Sequence, residues 1–159
     1  MDLVSYNFRD RIACDYHCID SHISSNSHQI VIVKNESKLW QKLKKSTPNI
    51  TWTRVESWAS FGFPDLVGYT ENTGFFTVEL KIVKGNKIIF SPHQIAFHVK
   101  HPTNTWILAA TLDPRTNKLC EYYLEPGSAV LGLVRDGLSA CGPTRPACAL
   151  ERLLLAACA

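Results

Sequence analysis

The sequence predicts an α/β fold, with a mixed central β-sheet flanked by α-helices. Segments rich in β-branched and aromatic residues recur through the middle of the chain, and two helical patterns marked by cap and proline signals interrupt them. The resulting order is helix, strand, strand, strand, helix, strand, strand. A length of 159 residues, with 45% hydrophobic and 19% charged content, fits a single folded core.

Residues 1–35 read as an irregular extension. "IDSHISSNSHQ" is rich in Ser, His and Asn, and "QIVIVK" offers at most a short strand. The character changes at "NESKLWQKLKKSTP", where a helix is expected over about 36–46. Asn35 suits the N-cap, Glu36 lies in the first turn where the helix dipole favours an acid, Leu39, Trp40 and Leu43 share one face, and Pro48 follows the end. "NITWTRVESW" then alternates as a strand near 51–57.

"FPDLVGY" reads as a strand near 64–69, "ENTG" as a turn at 71–74, and "FFTVELKIV" as a strand over 75–83. Strands joined by so short a turn form an antiparallel hairpin. "IIF" at 88–90 extends the sheet briefly, and Ser91 then caps a helix in "SPHQIAFHVKH". Pro92 occupies the first helical position, where its missing N–H costs nothing, and the helix ends before Pro102. "NTWILAATLD" and "KLCEYYLE" supply the last two strands. The core domain thus spans 36–136, and residues 137–159 form a tail with a Pro/Gly-rich break and a short terminal helix.

No apolar run approaches the roughly 20 residues that cross a bilayer, so no membrane association is expected. The net charge of +3 permits nucleic-acid binding without demanding it. Its distribution says more. Lys38, Lys42, Lys44 and Lys45 cluster in the first helix, and Lys81, Lys84, Lys87, His93, His98, Lys100 and His101 follow Glu79 with no acidic residue among them. The three histidines are expected to be solvated or to face phosphates. Trp40, Trp52, Trp58 and Trp106 read most simply as core aromatics.

Six cysteines with no signal-peptide pattern before them suggest reduced thiols in the cytoplasm. Cys14, His17, Cys18 and His22 are ligand types for zinc, but the two separated pairs of the usual structural site are missing.

The chemistry concentrates in "FPDLVGYTENTGFFTVELKIVKG". Side chains alternate along a strand, so Glu79 and Lys81 share one face while Val78, Leu80 and Ile82 take the other. Asp65, on the partner strand of the hairpin, can reach the level of Glu79. Taken alone, Asp65 is an ordinary turn aspartate and Glu79 with Lys81 an ordinary edge-strand ion pair. Taken together, two carboxylates and a lysine suit phosphodiester hydrolysis. Hard oxygen ligands at Asp65 and Glu79 match Mg²⁺ or Mn²⁺, and Lys81 would stabilise charge developing in the transition state.

"PD" at 64–65 and "ELK" at 79–81, with thirteen residues between Asp65 and Glu79, resemble the PD-(D/E)xK nuclease motif. "GFPDLVGY", "FFTVELK" and "FSPHQIAFH" come in the order seen in the virus-type replication-repair nuclease branch of that superfamily, often a small stand-alone phage protein. Gly62, Pro64, Asp65, Leu66, Glu79, Lys81, Ser91 and Gln94 match its pattern. "ESKLWQKLKK" resembles the family's first helix, which places Glu36 near the site, and "TRVES" resembles the strand before the motif, with Arg54 and Glu56 in it.

The resemblance implies a restriction-endonuclease-like core and Mg²⁺- or Mn²⁺-dependent hydrolysis of DNA. Asp65 and Glu79 would be the metal ligands, and Asp65, Glu79, Lys81, Gln94 and Glu36 the catalytic set. It further implies branched or junction DNA as substrate, in replication, recombination or repair, a homodimer, and a cytoplasmic location, in the host if phage-encoded. The competing readings are a restriction- or homing-type endonuclease on the same core and a DNA-binding module without catalysis.

Overall fold

The computed structural model describes residues 26–55 and 62–157. Five strands form one sheet in the order β1-β2-β3-β4-β5: β1 Thr51–Arg54, β2 Leu66–Thr70, β3 Gly74–Val83, β4 Thr105–Leu112 and β5 Leu119–Pro126. β1, β2 and β3 pair antiparallel, β3 and β4 parallel, and β4 and β5 antiparallel again. The sheet is mixed and flanked by helices, as the sequence predicts.

The hairpin forms because Gly74, at φ +72°, closes the turn after Thr70 and sets Leu66 against Val78. Parallel pairing of β3 with β4 needs a crossover, and α2, Pro92–Lys100, supplies it. Ser91 caps this helix with Pro92 at its start. The tail contributes α4, Leu150–Ala157, a short terminal helix as expected.

Alternation along β3 sorts the core into two layers. Phe76, Val78 and Leu80 pack with Leu39, Trp40 and Leu43 of α1, Asn26–Ser46, and with Leu150 and Leu154 of α4. On the opposite face Val83, Ile107 and Ala109 pack with Val130 and Leu133 of α3, Val130–Asp136, and with Ile88 and Ile95. The strand positions of Glu79 and Lys81 fall on this second face, the one α2 covers.

Three expectations need correction. The first helix begins at Asn26, so "QIVIVK" is helical and Asn35, 2% exposed, lies inside the helix and is not its N-cap. β-branched residues lower helix propensity by only a few tenths of a kcal/mol each, and a helix already nucleated downstream extends over them at the gain of one hydrogen bond per residue. "IIF" is not a strand either. Lys84 and Lys87 form an isolated bridge around Gly85 at φ +70°, and Ile88 then leaves the sheet to fill the second core layer. β1 ends at Arg54, short of the expected 57. Glu56, Trp58 and the cluster of Cys14, His17, Cys18 and His22 lie outside the described residues.

Candidate active site

The hairpin register brings the two motif halves together. Leu66 pairs with Val78, so one step further Asp65 stands level with Glu79. The ladder on the other side continues through a backbone bond from Val55 N to Asp65 O at 2.8 Å. Asp65 Oδ2 accepts a hydrogen bond from Leu80 N at 2.7 Å, which ties the carboxylate across to β3.

The segment before Asp65 is locked to α2. Gly62 adopts φ +85°, and a Cβ there would lie 2.4 Å from the carbonyl group of His93, so only glycine allows this approach. Phe63 then meets Phe97 edge-on at 5.3 Å between ring centres. The "GF" of the motif is therefore a clamp between the loop and the helix.

Glu79 is 1% exposed, and its two oxygens differ. Oε1 accepts from Lys81 Nζ at 2.9 Å and from Gln94 Nε2, whereas Oε2 has no hydrogen-bond partner among the described residues. Lys81 Nζ also donates to Gln94 Oε1 at 2.9 Å, and the ammonium sits 5.1 Å from the centre of the Phe90 ring, within cation–π range. Gln94 is itself fixed by the helix cap: its Oε1 accepts from Ser91 N at 2.9 Å while its backbone N–H donates to Ser91 Oγ at 3.2 Å. Its amide is thus committed to Glu79, Lys81 and Ser91.

Three carboxylates share the electrostatics. Burial first, then repulsion from Asp65, pushes Glu79 up to about 7 against the pull of Lys81, and Glu36 adds further repulsion. Asp65 is raised by burial, opposed by the Leu80 N–H and the charges of Lys81 and Arg54. Glu36, on α1, is raised by burial and by Asp65, with Lys81 and Arg54 opposing. Among the described residues no three His, Cys, Asp or Glu side chains gather closely enough to hold one metal ion.

His98 departs from expectation. Neither solvated nor phosphate-facing, it is fully buried one helical turn beyond Gln94, on the covered face of α2. Thr105 Oγ1 gives its proton to His101 O at 2.9 Å, so in the 3.3 Å contact with His98 Nδ1 the ring nitrogen is the donor. Nε2 is left as a buried acceptor with no partner among the described residues. Burial and the Lys81 charge lower its pKa to about 4, which keeps the ring neutral. A signal existed in the sequence, the four-residue spacing from Gln94, but it carried no information about burial.

No family model matches the chain, and no curated protein matches it. Among solved structures it is similar to Hjc, a Holliday junction resolvase from the archaeal hyperthermophile Archaeoglobus fulgidus. The TM-score is 0.42 and the sequence identity 19%, with 60% of this chain and 75% of that chain covered. Among the described residues no helix is long and apolar enough to cross a membrane.

Proposed function

We propose that the chain is a Mg²⁺- or Mn²⁺-dependent nuclease that hydrolyses phosphodiester bonds in DNA. The observation that carries this reading is the state of Glu79, a buried carboxylate with one oxygen held by Lys81 and Gln94 and the other without a donor among the described residues. An unsatisfied buried oxygen beside a second carboxylate is costly, and a shared divalent cation removes both penalties. The donor set fits: Mg²⁺ takes hard oxygen ligands and is usually held by one or two carboxylates plus waters and substrate phosphate, so Asp65 and Glu79 suffice.

When bound, such an ion offsets charge on the scissile phosphate and makes a water more acidic. The protein's own groups do the rest. Asp65, fixed by the Leu80 N–H, keeps its carboxylate level with Glu79. Lys81 presents a localised positive charge beside Glu79, where it meets negative charge that builds on the phosphate. Gln94 is a positioning residue that holds Lys81 and Glu79 in register with the start of α2. Glu36, whose pKa is raised first by burial and then by Asp65, is the better proton acceptor for it.

The motif resemblance supports branched or junction DNA as the substrate, in recombination, replication or repair, and a homodimer as the working unit. The deciding experiment offers purified protein with Mn²⁺ a panel of flaps, splayed arms, four-way junctions and single strands. At least one branched substrate should be cut, and Asp65→Ala and Lys81→Ala should each slow cutting by about 100-fold or more. An uncut panel, or variants that cut like the parent, would end the reading.

A further inference from the structure

The hairpin that carries the carboxylates also carries two rings that no core packing among the described residues explains. Tyr69 and Phe75 are an in-register cross-strand pair, 4.8 Å apart between ring centres, and 38% and 70% exposed. Both side chains lie on the same face of the sheet as Glu79. Positions 75, 77, 79 and 81 of β3 alternate with the core residues Phe76, Val78 and Leu80, and Tyr69 shares the face of its partner Phe75. Neither ring belongs to a core layer.

We propose that Tyr69 and Phe75 form a stacking platform for unpaired bases of the strand being cut, which makes a single-stranded stretch beside the scissile phosphate part of the substrate. The inference rests on the nuclease reading above. Phe75 lies four residues from Glu79, about 13 Å along the strand. That is the rise of about four stacked nucleotides at roughly 3.4 Å each. Between them lie the half-buried Val67 and Thr77, the hydroxyl of Thr77 itself buried, with the exposed Thr51 and Thr53 of β1 beside them. Among these described strand positions no acidic side chain precedes Asp65 and Glu79.

Charge completes the match. From Leu80 to Leu112 the sequence holds Lys81, Lys84, Lys87 and Lys100 with no acidic residue. Lys84 and Lys87 follow Val83, at the end of β3 opposite Phe75, so rings at one end and these cations at the other suit a strand whose bases stack while its phosphates run toward the lysines. A second copy of the chain is the poorer occupant. A stable interface needs about 800 Å² per partner around an apolar centre, and two rings framed by threonine hydroxyls offer far less.

The test measures binding of the full chain, with metal chelated so that nothing is cut. The probes are a short oligothymidylate and the same oligomer carrying a central run of abasic sites, which keeps the charge and removes the bases. The parent should bind the intact oligomer about tenfold more tightly than the abasic one. Phe75→Ala should abolish that difference by weakening the intact oligomer alone, Tyr69→Ala should reduce it, and Phe75→Trp should retain it. Phe75 is exposed, so these variants should fold like the parent, with circular dichroism as the check.

Equal effects of Phe75→Ala on both oligomers, or no effect on either, would overturn the platform. So would a loss of self-association in Phe75→Ala by sedimentation, which would assign the rings to a second copy. Failure of the nuclease reading looks different, because the substrate panel then stays uncut while base-dependent binding persists.

Discussion

Glu79 combines features that pull against each other: it is buried, partnered on one oxygen by Lys81 and Gln94, and still pushed up to about 7. Because its folded pKa lies above the ordinary value of 4.5, Glu79 contributes stability that is fully present below pH 4.5 and is lost as pH rises through about 7. Glu79→Gln removes that titration while keeping the shape. In chelator at pH 8 the variant should melt above the parent, and the gap should close toward pH 5; thermal unfolding across that range checks it. Mg²⁺ should raise the melting temperature of the parent and leave Glu79→Gln nearly unmoved, since the added stability comes from ligand binding to the native state alone. His98 runs the opposite way, its depressed pKa giving stability above pH 6.5 that is lost as pH falls through about 4.

The start of α2 couples local helix chemistry to the site. Ser91 touches neither carboxylate, yet its hydroxyl fixes the backbone of Gln94, whose amide holds Glu79 and Lys81. Ser91→Ala should cost about 1 kcal/mol of stability through the lost cap. It should also slow cleavage, with kcat falling more than KM rises, because the brace between helix and β3 loosens. Ser91→Thr, which keeps the capping oxygen, should restore both; urea unfolding and single-turnover kinetics read the two effects separately. This cap and Pro92 were legible because they act within four residues. The start of α1 was not, because β-branched residues in "QIVIVK" imitate a strand, and only a helix propagating from its neighbours overrides them.

Across the whole molecule, the two faces of the sheet have different work. One is filled by α1 and α4 as an apolar core, and the other combines a smaller core under α3 with the carboxylates, Lys81 and the exposed rings. The helices of the second face leave Val99, Leu131 and Val134 exposed, apolar side chains suited to the homodimer proposed above. Sedimentation should give a dimer at micromolar concentration, and Leu131→Glu with Val134→Glu should yield a folded monomer. Unchanged sedimentation of that variant would place any dimer contact elsewhere.

By itself the sequence determined what depends on neighbours along the chain. The alternation in "FFTVELKIV" assigns Glu79 and Lys81 to one face, the short turn pairs Asp65's strand with theirs, and the order of elements demands a mixed sheet. Tertiary structure alone decided that this charged face is covered at Glu79. The crossover between parallel β3 and β4 lays α2 over Glu79, and that placement leaves one of its oxygens without a donor, buries His98 and turns Gln94 into a brace. The physical reason is that burial and electrostatic coupling are set by groups far apart in the chain, so a local pattern can name a charged residue without revealing how much water it has lost.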